Sequence, residues 1–206
     1  MRRVSESAVR RLSLYLRFLE EFEAKGIETV SSEALAARGG TTSAQVRKDL
    51  SFFGSFGKRG LGYPVRDLAR RLRDILGLKR SYRVVIVGAG KIGSALAQYR
   101  GFGQRGFHIA AVYDSDPAKV GLEWDGQVVR DVSHLERDLE REPMDIAIVS
   151  TPAGAAQEVT DRLVRAGIKA ILNFAPVHLR VPPGVIVRNV NMALELEALS
   201  YALRNR

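Results

Sequence analysis

Three glycines and one aspartate carry the clearest chemical signature in this chain. Residues 84–93 read VVIVGAGKIG, so Gly88, Gly90 and Gly93 follow four β-branched residues at the spacing G-x-G-x-x-G. This spacing permits a tight turn, lets a pyrophosphate approach the backbone and lets the next helix pack closely on the strand. Asp114 lies 21 residues after Gly93, where a carboxylate can bind the adenosine ribose hydroxyls. The pattern predicts a dinucleotide site that favours NAD(H), since the carboxylate would repel the 2′-phosphate of NADP(H).

Further cofactor contacts are predicted where two later strands end. MDIAIVSTP and KAILNFA end at 150–152 and 173–175, at the carboxyl edge where parallel sheets bind their ligands. Ordinary turn chemistry is the alternative for Thr151 and Asn173. The predicted cofactors are NADH and NAD, and the residues predicted from this region to bind them are Gly88, Ala89, Gly90, Lys91, Ile92, Gly93, Asp114, Thr151, Pro152, Asn173 and Phe174.

A second group of polar side chains lies on a short helix near residue 45. Thr42 and Gln45 form a T-x-x-Q capping box, and the helix AQVRKDLSFF runs to a break at Gly54. Val46 and Leu50 lie one turn apart and form the face that can be buried, which leaves the polar residues exposed. A short, capped helix that exposes Ser, Gln, Arg and Lys suits the major groove of DNA.

The segment after this helix predicts a wing. Residues 54–63 read GSFGKRGLGY, with four glycines around two basic residues, which favours a tight two-stranded ribbon with a basic tip lying along phosphates or in the minor groove. The alternative is a small helical dimerisation module whose charged face is simply solvated. The residues predicted to bind DNA are Ser43, Gln45, Arg47, Lys48, Ser51, Lys58 and Arg59.

The basic charge of the chain is concentrated in its N-terminal part. The chain has a net charge of +9. Residues 1–80 contain 17 Lys and Arg against 9 Asp and Glu, whereas residues 81–206 contain 15 against 14. Such asymmetry favours a polyanionic partner for the N-terminal part, because non-specific affinity for DNA comes chiefly from neutralised phosphates.

Composition excludes several other chemistries. The chain has no cysteine, which removes disulfides, thiol nucleophiles, iron–sulfur clusters and cysteine-ligated zinc. Its three histidines lie far apart in sequence, so no metal site is expected. No stretch approaches 18 apolar residues and no signal peptide is recognisable, so we expect a cytoplasmic protein without a membrane span.

The elements that must position these groups follow from periodicity. Helices are predicted over 5–25, with Gly26 after it, and over the segments SSEALAARGG and DLARRLRDILG. Together with the third helix and the wing they form a winged helix-turn-helix, residues 1–78. Strand–helix alternation from residue 79 to 189 predicts a Rossmann-type doubly wound parallel sheet. The predicted fold class is therefore α/β with an α+β N-terminal domain.

Residues 190–206 form the third predicted segment. NMALELEALSYALRN predicts a helix capped by Asn191, with an apolar stripe of Met192, Leu196, Leu199 and Leu203. Without further information the stripe is expected to pack on the sheet of its own chain. The alternative is a helix that reaches across a dimer.

The absence of a catalytic apparatus favours binding over turnover. His178 is the one proton-transfer candidate near the carboxyl edge, there is no Tyr-x-x-x-Lys pair, and no substrate domain follows the cofactor fold. We therefore expect no enzyme activity. The alternatives are a small NAD-dependent dehydrogenase and a coenzyme A-binding domain of similar sheet topology.

The residues also carry a family resemblance. TTSAQVRKDLSFFGSFGKRGLGY, IVGAGKIGSALA and GIKAILNFAPV together resemble the Rex family of redox-sensing transcriptional repressors. The resemblance implies a homodimer in which residues 190–206 form a dimerisation helix swapped into the partner near the cofactor. It implies binding to operator DNA and release when NADH rises. It also adds Tyr99, at the end of the cradle helix, to the residues expected near the cofactor and the dimer contacts.

One position departs from the family pattern. The family usually has an acidic residue after Asn-Val ahead of the last helix, and this chain has Asn191 there. An ion pair that the resemblance implies at this position, with Arg17 as the partner, would be a neutral hydrogen bond in this chain.

Overall fold

The chain forms two compact units. The computed structural model describes residues 4–57 and 61–205, and contacts divide the chain into an N-terminal unit, Met1–Arg80, and a C-terminal unit, Ser81–Arg206. No helix among the described residues is long and apolar enough to cross a membrane.

Helices dominate the N-terminal unit. Its described elements are α1 (Glu6–Ala24), β1 (Thr29–Val30), α2 (Ser32–Gly39), α3 (Ser43–Ser51), β2 (Tyr63–Pro64) and α4 (Val65–Ile75). Ser5, Ser31 and Thr42 each accept a hydrogen bond at the start of their helices, which satisfies N–H groups that have no partner within the helix. The three predicted helices and the helix after the wing are thereby confirmed.

The helices of the N-terminal unit share one apolar core. Leu12 and Leu16 of α1 pack with Leu50 of α3 and Leu72 of α4, all fully or almost fully buried. Tyr15, which periodicity did not single out, is also fully buried there. The core therefore fixes the exposed face of α3.

The wing differs in part from its predicted form. Strand β2, at the end of the wing segment, pairs antiparallel with β1, so that Val30 lies opposite Tyr63. The sequence predicted only a pairing between the two arms of 54–63, and it missed this strand ahead of α2 because two residues are too short to show a period. Lys58 and Arg59, at the predicted basic tip, lie outside the described residues.

The C-terminal unit is built on a seven-stranded sheet in the order β5-β6-β4-β3-β7-β8-β9. All pairings are parallel except that of β5 with β6. Its elements are β3 (Tyr82–Val87), α5 (Lys91–Ala97), β4 (Phe107–Asp114), β5 (Glu123–Trp124), β6 (Gln127–Asp131), α6 (Leu135–Arg141), β7 (Ile146–Val149), α7 (Ala153–Arg165), β8 (Ala170–Asn173), β9 (Ile186–Asn189) and α8 (Met192–Arg204).

The predicted doubly wound sheet is confirmed, and β9 lies at its edge as expected. Strands β5 and β6 and helix α6 were not predicted from the sequence. Strand order places β3 between β4 and β7, so the chain reverses its winding direction next to the glycine loop. Sheets of this kind bind ligands outside the carboxyl ends of the strands at such a point.

Helix α8 does not pack as predicted. Asn191 caps it by accepting a hydrogen bond from the N–H of Ala193, which confirms the cap. None of its described residues is buried. The predicted apolar stripe is 61 to 73% exposed, so the expectation that it packs on the sheet of its own chain is wrong.

Candidate cofactor site and candidate DNA interface

The three glycines of the cradle are required for different reasons. Gly88 has a φ of +108°, and a Cβ there would lie 2.6 Å from the carbonyl oxygen of Ser150. A Cβ at Gly93 would overlap the carbonyl oxygen of Gly88. The fold itself therefore requires both glycines. At Gly90 φ is −82° and a Cβ would meet no protein atom within 4 Å, so the space there suits an atom that does not belong to this chain.

Asp114 connects the end of β4 to this glycine loop. Its carboxylate accepts hydrogen bonds from the N–H of Ala89, at 2.6 Å, and from the N–H of Asp116, at 2.8 Å. The residue is only 8% exposed. The carboxylate therefore holds the loop in shape, and its remaining lone pairs are the ones that a ribose could use.

Lys119 was not predicted from the sequence but lies beside Asp114. Its Nζ is 3.4 Å from a carboxylate oxygen of Asp114 and 3.4 Å from one of Asp116. Burial by itself lowers the pKa of Lys119, but attraction and hydrogen bonds to the two carboxylates outweigh this and raise the pKa above its ordinary value. The carboxylate of Asp114, which is predicted to bind the ribose, is therefore paired with a cation, the ammonium group of Lys119. Its spacing carried no motif by which it could be recognised.

The ends of β3, β7 and β8 meet at one edge, as predicted. Val87 lies opposite Val149, and Val149 lies opposite Asn173. The hydroxyl of Ser150, which the sequence analysis did not select, donates to the carbonyl oxygen of Gly88 at 2.8 Å. This bond ties the β7 loop to the cradle.

At this edge the side chain of Thr151 lacks a hydrogen-bond partner among the described residues, whereas the side chain of Asn173 has several. The Thr151 hydroxyl is the single buried side-chain polar atom without a partner in the described part of the chain. Such a group usually has a partner in a protein, so an absent ligand or water fits here. Asn173 is fully buried, and its amide bonds the carbonyl oxygen of Val177 and the side chain of Asn189. Asn173 therefore holds the loop after β8, and its direct contact with the cofactor stays a prediction.

The remaining predicted cofactor residues lie around the cradle. Lys91 and Ile92 begin α5 and are exposed, Pro152 caps α7, and Phe174 is partly buried against the sheet. Tyr99 lies two residues beyond the end of α5 rather than within it, and its ring contacts Phe102 edge to face. The exposed Tyr99 ring remains accessible to a ligand or a partner.

In the N-terminal unit, a buried carboxylate organises α3. Asp49 is 1% exposed. It accepts two hydrogen bonds from Arg11 of α1, at 2.6 and 2.7 Å, and a third from the hydroxyl of Tyr15 at 3.1 Å. Asp49 lies on the same helical face as Val46 and Leu50. Its position on that face was the signal in the sequence that could have revealed a buried carboxylate.

These contacts explain the protonation of the group. Burial raises the pKa of Asp49, but hydrogen bonds from Arg11, Gln45 and Tyr15 outweigh burial and hold the pKa below its ordinary value. Burial also raises the pKa of Tyr15 to about 12. Asp49 is therefore an anion, and Tyr15 a neutral donor, across the physiological range of pH.

The side chain of Gln45 is hydrogen-bonded within its own unit, and its contact with DNA stays a prediction. Thr42 accepts from its backbone N–H, which is half of the capping box. The side-chain amide, however, donates to Asp49 at 2.7 Å and does not complete the box. The buried carboxylate is the better acceptor because it is charged.

Two of the other residues predicted to bind DNA, Arg47 and Ser51, line one groove. A cavity of about 570 Å³ is bordered by α3 and the wing segment. Arg47 and Ser51 line it, and Lys48 is exposed on the same helix. Ser43, at the start of α3, is partly exposed. Among the described residues, α3 thus presents two cations and two hydroxyls.

Comparison with known proteins matches both units. Residues 79–177 match the family model described as "CoA binding domain", and residues 3–51 match the one described as "Putative DNA-binding protein N-terminus". These descriptions agree with a nucleotide-binding sheet and a DNA-binding unit in one chain.

Relatives cover the whole chain. The redox-sensing transcriptional repressor Rex of Syntrophomonas wolfei is 48% identical over 99% of this chain and 98% of its own length. The crystal structure of RSP in complex with beta-NAD+ and operator DNA superposes with a TM-score of 0.93 at 41% identity, and covers 100% of this chain and 94% of that one. RSP in complex with beta-NADH superposes with a TM-score of 0.90 at 40% identity, over 98% and 95%. The dehydrogenase alternative is not supported, because the full-length relatives are repressors. With this identity over its full length, the chain belongs to the Rex family of redox-sensing transcriptional repressors.

Proposed function

We propose that this chain is a repressor that binds operator DNA as a homodimer and leaves it when NADH binds. Residues 1–78 bind DNA, residues 79–189 bind the cofactor, and residues 190–206 form the dimerisation helix. The observation that carries the proposal is the full-length similarity to RSP, which has been crystallised with beta-NAD+ and operator DNA together and with beta-NADH.

The cradle supports NAD(H) as the ligand. Gly90 leaves room for a pyrophosphate against the backbone, and Asp114 lies beside the loop to bind the adenosine ribose. Thr151 offers an unpartnered hydroxyl at the same edge. The bound cofactor would supply the redox signal, and these residues would hold it.

The exposed stripe of α8 supports the homodimer. Met192, Leu196, Leu199 and Leu203 present contiguous apolar surface to solvent in the single chain, and surfaces of this kind mark interaction sites. A second copy of the chain is the occupant. Two winged helices of one dimer then read half-sites of a palindromic operator about one helical turn, roughly 34–36 Å, apart.

NADH controls binding through the dimer. It stabilises a form whose two winged helices no longer match this half-site spacing, while NAD favours the DNA-competent form or competes weakly. Two forms of the dimer are compared, one that cannot bind the operator and one that can. Shifting their ratio from 1:99 to 99:1 requires NADH to bind the first form about 10⁴-fold more tightly than the second. By linkage, operator DNA must weaken NADH binding by the same factor by which NADH weakens DNA binding.

Fluorescence anisotropy tests the proposal. A labelled palindromic duplex is titrated with the full chain in the presence of NADH or of NAD, at one fixed ionic strength. We expect NADH to weaken binding and NAD to leave it intact. A complex that is insensitive to NADH would contradict the proposed release mechanism.

Coenzyme A is the second candidate ligand, because the family model for residues 79–177 is described by that name. Thermal unfolding distinguishes the two. NADH, and not acetyl-CoA, is expected to raise the Tm, since a ligand stabilises the state that binds it. Protection by acetyl-CoA alone would favour the coenzyme A site.

A further inference from the structure

An acidic side chain lies in the groove that the proposed function assigns to DNA. Glu33, in the first turn of α2, lines the same cavity as Arg47 and Ser51 of α3. Its side chain is 67% exposed, so it faces the space that a phosphate backbone would approach. A carboxylate there opposes binding of any polyanion, and its presence needs a reason.

The reason lies in what the carboxylate contacts. Arg47 Nη1 donates to the Ser32 hydroxyl at 2.8 Å and to Glu33 Oε1 at 3.3 Å. The Ser32 hydroxyl also bonds Glu33 Oε1, at 3.3 Å. Ser32 is 8% exposed, so it is a fixed anchor, whereas Arg47 remains 54% exposed. One guanidinium nitrogen of Arg47 is therefore engaged by Ser32 and Glu33, while about half of the side chain stays accessible.

Folding stability is a poor explanation of this arrangement. An ion pair between two exposed side chains contributes little, because solvent screens it and both side chains lose entropy. Hydrogen bonds from its own backbone N–H and from Ser31 hold the pKa of Glu33 below its ordinary value. Glu33 is thus charged at neutral pH in the free chain.

We propose that Glu33 is a specificity-determining residue, which orients Arg47 toward base edges and repels DNA phosphates that offer no base contact in return. The inference rests on the proposed function, in which Arg47 reads DNA. On the operator, Arg47 exchanges the carboxylate for a guanine edge, to which arginine binds with two hydrogen bonds. On other sequences the repulsion is not compensated, and specificity is the difference between these two affinities.

The test compares two duplexes of equal length, a palindromic operator and a scrambled sequence, by anisotropy at one salt concentration. Glu33→Gln removes the charge and keeps the size of the side chain. We expect affinity for the scrambled duplex to rise about two- to fivefold, the range of an exposed charge interaction. Affinity for the operator rises less or falls, so the ratio of the two affinities decreases. The Tm should stay that of the wild type.

Two matched variants separate the roles of the carboxylate. Glu140→Gln removes the same charge from an exposed position in α6 of the C-terminal unit and should leave the ratio unchanged. Ser32→Ala removes the anchor of Arg47 and keeps the Ser31 cap of α2. It should weaken operator binding and leave binding to the scrambled duplex unaltered.

The outcomes are distinct. An unchanged affinity ratio in Glu33→Gln, or an equal gain on both duplexes in Glu33→Gln and Glu140→Gln, would overturn the role of Glu33. A wild-type chain that does not prefer the operator to the scrambled duplex would instead overturn the proposed function, before any variant is compared.

Discussion

At the scale of single residues, Gly90 separates the demands of the fold from those of the ligand. Gly88 and Gly93 could not carry a Cβ without displacing backbone atoms, whereas at Gly90 the space is open and φ is compatible with any residue. A substitution at Gly90 therefore tests the ligand alone. Gly88 and Gly93 cannot be used for this test. A side chain at either position would distort the loop, and binding would be lost for that reason alone.

Gly90→Ala is expected to lower NADH affinity at least tenfold, or about 1.4 kcal/mol, because the methyl group occupies the path of the pyrophosphate. Isothermal titration with NADH measures this, and the Tm without ligand should be unchanged. Gly103→Ala is the control, since a Cβ there also meets no atom. Wild-type affinity in Gly90→Ala would show that the pyrophosphate lies elsewhere.

Asp49 is the second residue whose role can be measured. Its contacts with Arg11 join α1 to α3, and removing a charged hydrogen-bond partner costs about 1.5–3 kcal/mol. Asp49→Asn should lower the unfolding free energy of the N-terminal unit by that amount at pH 7. Helical circular dichroism measures the unfolding of the helical N-terminal unit. The chain's one tryptophan, Trp124, reports separately on the C-terminal unit.

The same variant predicts a pH dependence. Because the pKa of Asp49 is lowered in the folded chain, its stabilisation is fully present above the ordinary value of about 4 and is lost as the pH falls below it. The difference in unfolding free energy between wild type and Asp49→Asn should therefore be largest above that value. It should shrink as the pH falls below it toward the lowered pKa. Asp67→Asn, which removes an exposed carboxylate of the same unit, is the control, and its stability at pH 7 should differ little from that of the wild type because surface ion pairs contribute little. A gap that does not narrow at all as the pH falls below about 4 would contradict the assigned contacts.

At the scale of elements, α3 depends on its cap as much as on its core. The helix has nine residues, and isolated helices of this length are unstable in water. Thr42 satisfies the N–H of Gln45 at its start, and the Asp49 contacts hold it to α1. The face proposed to read DNA is thus positioned by the Thr42 cap and by the contacts of Asp49.

Thr42→Ala should cost about 1 kcal/mol of stability and weaken binding to operator and scrambled duplexes together, because the helix frays as a whole. NADH affinity should not change, since the cradle lies in the other unit. Ser5→Ala, which removes the cap of α1, is the matched control. An equal loss of DNA binding in both variants would mean that general destabilisation explains the effect.

At the scale of the whole molecule, α8 leaves the single chain incomplete. A helix with an apolar stripe and no buried residue has no stabilising packing within its own chain. A second copy supplies that packing in the proposed homodimer. Asn191 caps the helix in place of the usual acidic residue of the family, so its contribution is a neutral hydrogen bond.

Leu196→Asp together with Leu199→Asp should shift the chain from dimer to monomer, because two charges would enter the proposed apolar interface. Light scattering coupled to size exclusion measures the mass over a range of concentrations. Leu122→Asp, at an exposed position just before β5, should leave the mass unchanged. A double variant that remains dimeric would place the interface on another surface.

Local spacing was enough to predict much of this protein. The glycine spacing, the caps at Thr42 and Asn191, and the alternation of strands and helices predicted the two folds. These features depend on residues within a few positions of each other, where backbone geometry sets the rule. The same reasoning selected the carboxyl edge of the sheet, because parallel strands end together.

Only the tertiary structure decided how those residues are used. Arg11 and Asp49 are 38 positions apart and Arg47 and Glu33 are 14 apart, and no local period links such pairs. Packing engaged Gln45 with a buried carboxylate, used Asn173 to hold a loop and left α8 exposed. The spacing of a sequence specifies which elements form, whereas the contacts between distant elements determine which side chains remain free to bind.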